Sequence, residues 1–141
     1  MINSFHSTVL VLAHKEGAKP PDIQALQNSF PELPLSFTDL LAEATEIEIS
    51  YKGKYLRLYG PARCIEMNDA YEISKRIAGA ILVGDNGGGE ALIFLPGPER
   101  GIYRVGYGSL ALDDAEFVAQ SIEVLLCMAE VDATKIGGVD A

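Results

Sequence analysis

The chain has 141 residues, 48% of them hydrophobic and 22% charged, the profile of one ordinary globular domain large enough to need no covalent staples. Twenty acidic residues against eleven basic ones leave a net charge of −9, a field that disfavours nucleic acid and anionic membranes and attracts basic partners. Two cysteines, Cys64 and Cys127, with no Cys-x-x-Cys pair give no basis for a disulfide framework or a paired zinc site and suit a reducing compartment.

Residues 1–19 read as a helical N-terminal extension. Phe5, Val9, Leu12 and Ala13 fall on one helical face, and Gly17 follows Lys15-Glu16 as a helix C-terminal glycine does, although residues 9–12 alone would suit a strand. The run 8–13 is too short for a secretory signal and lacks a charged leader, and no apolar stretch near the C-terminus is long enough to span a bilayer; the expected location is cytoplasmic. His6 and His14 have no partner at ligand spacing. Pro20-Pro21 opens a short helix to about Asn28, burying Ile23 and Leu26. Leu33-Pro34 opens the next, with Phe37, Leu40, Leu41 and Ala44 along one stripe.

The period then changes to two. Ile47, Ile49 and Tyr51 alternate with Glu46, Glu48 and Ser50, a half-buried strand. Lys52-Gly53-Lys54 turns the chain into a second strand over 55–59, Gly60-Pro61 breaks it, and 63–66 reads as a short third strand. Asn68 is placed to cap a helical turn carrying Tyr71. Two continuous apolar runs, 80–83 and 91–95, flank Asp85-Asn86-Gly87-Gly88-Gly89-Glu90 and predict a central hairpin buried on both faces. Another strand follows over 101–105. Asp113, with Glu116 three residues on, marks the start of a closing helix with Phe117, Val118, Ile122, Leu125, Leu126 and Ala129 on its apolar face. Residues 132–141, with Gly137-Gly138, read as a loose tail. The order predicts an α+β domain over residues 20–131: a mostly antiparallel sheet of about five to six strands, with N-terminal helices and a C-terminal helix packed against it.

The glycine-rich loop invites two ligand readings. A phosphate cradle needs a helix N-terminus directly after it and usually a lysine; here a strand follows, and Asp85 and Glu90 repel an anion. Asp85, Asn86 and Glu90 are hard oxygen donors for calcium, but the full calcium-loop pattern is absent, which leaves a tight turn built on glycine. No Gly-x-Ser-x-Gly elbow and no activated Ser or Cys motif near a histidine points to nucleophilic catalysis. The pairs Glu46/Glu48 and Asp113/Asp114 read as a solvated strand face and a cap. Six tyrosines and no tryptophan suit sheet packing or an interface.

In order and spacing, Leu33-Pro34-x-x-Phe37-x-x-Leu40-Leu41, Leu58-Tyr59-Gly60, Asn68-x-x-Tyr71-Glu72, the loop from Gly84 to Glu90, Gly101-Ile102-Tyr103 and the closing amphipathic segment resemble the SUKH superfamily, from about Pro20 to Glu130. The chain departs from it at Glu43-Ala44-Thr45, where members often carry Asn-Gly. The resemblance implies an α+β fold and a binding role without catalysis, cofactor or metal. Bacterial members are mostly immunity proteins that neutralise a toxin, often a nuclease, and an acidic inhibitor suits a basic nuclease. The fungal branch, named for regulators of cell-wall glucan synthesis, offers a regulatory scaffold as the alternative; a small-ligand or metal-binding domain is a further one. Asp85, Asn86 and Glu90 match the loop motif and Asn68 and Tyr71 the helical one, which makes these five the expected partner-binding residues.

Overall fold

A computed structural model describes residues Met1–Ala141. Seven strands run in strict chain order in one antiparallel sheet: β1 (Val9–Glu16), β2 (Ala44–Tyr51), β3 (Lys54–Leu58), β4 (Ile81–Asp85), β5 (Glu90–Leu95), β6 (Gly101–Gly106) and β7 (Glu116–Ala119). Two helical insertions interrupt this meander. Helices α1 (Pro20–Ser29) and α2 (Leu35–Glu43) lie between β1 and β2; α3 (Pro61–Ala70) and the single turn α4 (Ile73–Arg76) lie between β3 and β4. The fold is α+β, and no helix is long and apolar enough to cross a membrane.

The helices start where proline permits: Pro20 and Pro61 occupy the first helical position, whose missing N–H costs nothing there. Helix α2 buries Phe37, Leu40 and Leu41, as its stripe predicts, and α1 contributes Leu26. Lys52 and Gly53, both at positive φ, make the tight β2–β3 turn. The β4–β5 hairpin forms as expected, with every residue of β4 buried. The β3–β4 ladder is short, pairing only Arg57 with Asp85 and Leu58 with Gly84. Gly84 is required there, since a Cβ would lie 2.1 Å from the Arg57 carbonyl oxygen. Other groups complete this ladder at both ends. Beyond Leu58, the Asn68 side chain donates to the Leu82 carbonyl (2.9 Å) and accepts from the Leu82 N–H (2.8 Å). Before Arg57, the Tyr55 N–H donates to the Val139 carbonyl, and Lys54 bridges to Asp140.

Several expectations are corrected. The N-terminal segment is not one helix: Ile2–Ser4 is a short 3-10 turn, and residues 9–16 form β1, which satisfies the outer edge of β2 and joins the sheet. Gly17 serves a close approach instead of a helix end, because a Cβ would meet the Ala42 carbonyl oxygen at 2.0 Å. Residues 63–66 belong to α3, started by Pro61, and are not a strand; Asn68 lies in the last turn of that helix and does not cap a new one. The closing helix is absent over 113–119. Leu112–Asp114 is a 3-10 turn, Glu116–Ala119 is β7, and of the expected helix only residues 122–128 are wound as one, most of them in the π-helical turn Val124–Met128. Pairing to the open edge of β6 outweighs the helical periodicity. These added strands raise the count from five or six to seven. Ile122, Leu125 and Leu126 still reach the core. The tail is pinned along β3 as described and is not loose.

Candidate functional site

The glycine-rich loop is a clasp. Asp85 Oδ1 accepts the Gly87 N–H (3.0 Å) and Asn86 Oδ1 the Gly88 N–H (2.9 Å), a pair of local side-chain turns. Asn86 Nδ2 donates to Glu90 Oε1 (3.0 Å) and to the Ile136 carbonyl (2.9 Å). Arg104 holds Glu90 through Nη1 (2.7 Å) and the Lys135 carbonyl through Nε (3.0 Å). The tail glycines fit into this arrangement. A Cβ on Gly138 would lie 2.5 Å from the Asn86 carbonyl oxygen, and one on Gly88 2.7 Å from Gly138 Cα. The glycines of loop and tail interlock because neither segment has room for a side chain at those points.

Behind the clasp lies a tyrosine network. Asp85 Oδ2 accepts from Arg57 Nη2 (2.8 Å) and from the Tyr59 hydroxyl (2.6 Å). With the Tyr59 proton committed to Asp85, the Tyr107 hydroxyl, 2.8 Å away, is left as donor to Tyr59. Tyr71 stacks on Tyr107 with ring centroids 4.6 Å apart. Burial, then the hydrogen bond to Asp85, pushes the Tyr59 hydroxyl well above its ordinary range, so it stays protonated. Burial, reinforced by the Glu46 charge, pushes the Cys64 thiol up to about 12, which keeps this cysteine out of thiolate chemistry near neutral pH. His6 Nδ1 is occupied by the Thr8 hydroxyl, and His14 Nδ1 lies at the Lys15 carbonyl. No three His, Cys, Asp or Glu side chains gather where they would hold a metal.

Of the five expected partner-binding residues, Asp85, Asn86 and Glu90 come together at the clasp, while Asn68 sits apart in the last turn of α3, bonded to Leu82 of β4. Asp85, Asn86 and Asn68 are buried, and their hydrogen bonds are made within the chain. Glu90 is half-buried and held by Arg104. Tyr71 alone is exposed, at the rim of the tyrosine network.

A groove that the sequence reading did not anticipate runs beside β7. It is open, with a volume of about 770 Å³, and is walled by β7 on one side and by Val124, Glu130, Val131 and Asp132 on the other. Phe117 belongs to its β7 wall and is 46% exposed, with its ring on the Tyr103 face of the strand. Its ring is seated edge-on against Tyr103, with centroids 5.4 Å apart at 80°, and lies over Gly101, where a Cβ would be 2.7 Å from the ring. Three acids, Glu116, Glu130 and Asp132, line the groove against one base, Lys135. Glu130 has no ion-pair partner, Glu116 shares Arg104 with Glu90, and Asp132 caps the turn at Thr134. The helical periodicity assigns Phe117 to a buried stripe, and no local signal in residues 116–119 marks it as an exposed strand position. No family model and no curated protein matches the chain.

Proposed function

We propose that the protein is an immunity protein that neutralises a basic toxin domain by stoichiometric binding, with the β7 groove as its docking surface. The observation that carries this reading is Phe117: an exposed aromatic ring, seated against Tyr103 and Gly101 at a sheet edge that also carries Glu116, Glu130 and Asp132, has the composition of an interface anchor beside a charged rim. The acidic field extends well beyond the groove. Of twenty acids, seven are tied to cations of the same chain (Glu43, Glu46, Glu72, Asp85, Glu90, Glu116 and Asp140), which leaves thirteen to attract a basic partner. The resemblance to the SUKH superfamily supplies the toxin as the class of partner.

The test begins with capture from native lysate at low salt, release at high salt, and expression of the captured basic protein alone and with this chain. A captured protein that arrests growth, with growth restored by the wild-type chain and not by Glu130→Lys or Phe117→Ala, is the expected result. A harmless captured protein sinks the toxin assignment in favour of the scaffold reading. Rescue undiminished in both variants removes the β7 groove from the interface.

A further inference from the structure

The opposite edge of the sheet carries a different surface. β1 has one neighbour, β2, so its outward N–H and C=O groups have no strand partner. Only Val9 of its eight residues is buried. Leu10, Val11 and Leu12 are exposed in succession, Leu10 by 57% and Leu12 by 52%. Natural sheets guard such edges with charge, with bulges or with a covering element. Here the guards are confined to the second half of the strand: the register with β2 shifts between Val11 and Ala13 and again between Ala13 and Lys15, and Lys15 and Glu16 supply the only full charges. The first half, Val9 to Val11, pairs regularly with Tyr51 to Ile49 and has no such guard.

We infer that β1 pairs with β1 of a second copy of this chain, antiparallel across a two-fold axis near Leu10 and Val11, to form a homodimer. Charge selects the occupant. Two molecules of net charge −9 repel over most of their surfaces, whereas residues 8–13 carry no charge at all. An antiparallel two-fold brings the apolar side chains of the two copies together on that neutral strip. It also sends Lys15 and Glu16 of each copy toward the His6-Ser7-Thr8 end of the other, so like charges do not face one another. The β7 edge has no equivalent: pairing it with itself would set Glu116 and the groove acids against their own copies. This dimer leaves both β7 grooves free and does not depend on the toxin assignment.

The experiment is light-scattering mass measurement on the full chain across a concentration series, at low and high salt. The expected mass is twice the 15.1 kDa of the chain, with association strengthened by salt as repulsion between the copies is screened. Leu10→Lys and Leu12→Lys, both at exposed positions, are expected to return the mass to that of one chain while circular dichroism and the thermal midpoint of the dilute protein stay unchanged. Phe117→Lys is expected to leave the dimer intact. A wild-type mass of one chain at every concentration overturns the inference, and so does a dimer that survives both leucine substitutions.

Discussion

The clasp and the β7 groove contain similar chemistry: carboxylates, glycines and aromatic rings. They differ in where the hydrogen bonds go. In the clasp, Asp85 accepts from Arg57, Tyr59 and Gly87, and Asn86 bonds to Gly88, Glu90 and the tail. In the groove, Glu130 has no charged partner and Phe117 shows nearly half its surface to solvent. Polar groups whose bonds are spent inside the chain specify the chain's own conformation. Groups left open are the ones a partner can use. The residues that stand out in the sequence as a loop motif have their hydrogen bonds committed within the chain, and the contrast makes sharply different forecasts for substitutions in the two regions.

The largest effect is expected at the centre of the clasp. Asp85→Lys removes the acceptor for three donors and sets a second cation beside Arg57. It is expected to cost roughly 3 kcal/mol or more, in the range for breaking a buried ion pair, and to lower the urea midpoint accordingly. A stability equal to wild type would show that the network does not hold the loop, and would reopen Asp85 as a contact residue.

Next comes the interlock between loop and tail. Gly138 has φ +67° and its Cβ would collide with the Asn86 backbone, whereas Gly89 has φ +84° and nothing within 4 Å of its Cβ position. Gly89→Ala is expected to cost about 1 kcal/mol from the backbone alone. Gly138→Ala adds displacement of the tail, for about 2 kcal/mol in total, and speeds amide exchange at Tyr55, whose N–H bonds to Val139. Equal costs for the two would mean that the tail does not close the clasp.

Titration separates the interior from the tail. Cys64 is pushed up to about 12 by burial, and Tyr55 also to about 12 by burial and its bond to Glu48. These folded-state values exceed the ordinary ones of 9.0 and 10.0, so the unfolded chain loses its protons first. Stability is fully present below pH 9 and falls as pH rises toward 12, at up to about 1.4 kcal/mol per pH unit for the buried Cys64 thiol and by less for the solvent-screened Tyr55 hydroxyl. Urea midpoints from pH 7 to 11 should show the decline, and Cys64→Ala should make it shallower. At the acid end the sign reverses. Hydrogen bonds from Thr134 hold Asp132, and the bond from Lys54 holds Asp140, below the usual carboxylate range. Their contribution is present above pH 4 and is lost as pH falls, which loosens the tail before the core. An alkaline midpoint unaffected by Cys64→Ala would remove the thiol from the account.

The parts of the fold that were legible from sequence are those where local preference and tertiary demand agree. Prolines 20, 34 and 61 stand at or just before the first residues of their helices, and the α2 stripe buries the residues it names. The alternation in β2 and the apolar runs of β4 and β5 also form as strands. Legibility failed at the two sheet edges. Residues 9–16 and 116–119 have apolar spacing that fits a helix, and each becomes a strand because an open edge of β2 or β6 offers backbone partners. Such pairing is decided by residues distant in sequence, which periodicity does not contain. Gly137-Gly138 misled for a related reason: glycine was read as freedom, whereas here it permits contact at 2.5 Å with Asn86. For the same cause Asp85 and Asn86 looked like surface groups, their bonding partners lying up to fifty residues away along the chain.

The smallest effect on stability is expected at the position with the largest proposed role. Phe117 is half exposed, so truncation to alanine loses its edge contact with Tyr103 and little buried area; the cost should stay within about 0.5 kcal/mol of wild type, as for other surface positions. Binding should respond oppositely. An anchor ring lost from the centre of an interface costs about 2 kcal/mol, or a roughly thirtyfold weaker Kd, expressed mainly as faster dissociation. Glu130→Lys should slow association instead, and its effect should fade as salt rises. The two variants therefore separate an anchor from a steering charge within one groove. Unfolding titrations set beside association and dissociation rates would read both, and a Phe117→Ala protein that is clearly less stable but binds normally would place this ring among the structural residues, with Asp85 and Asn86.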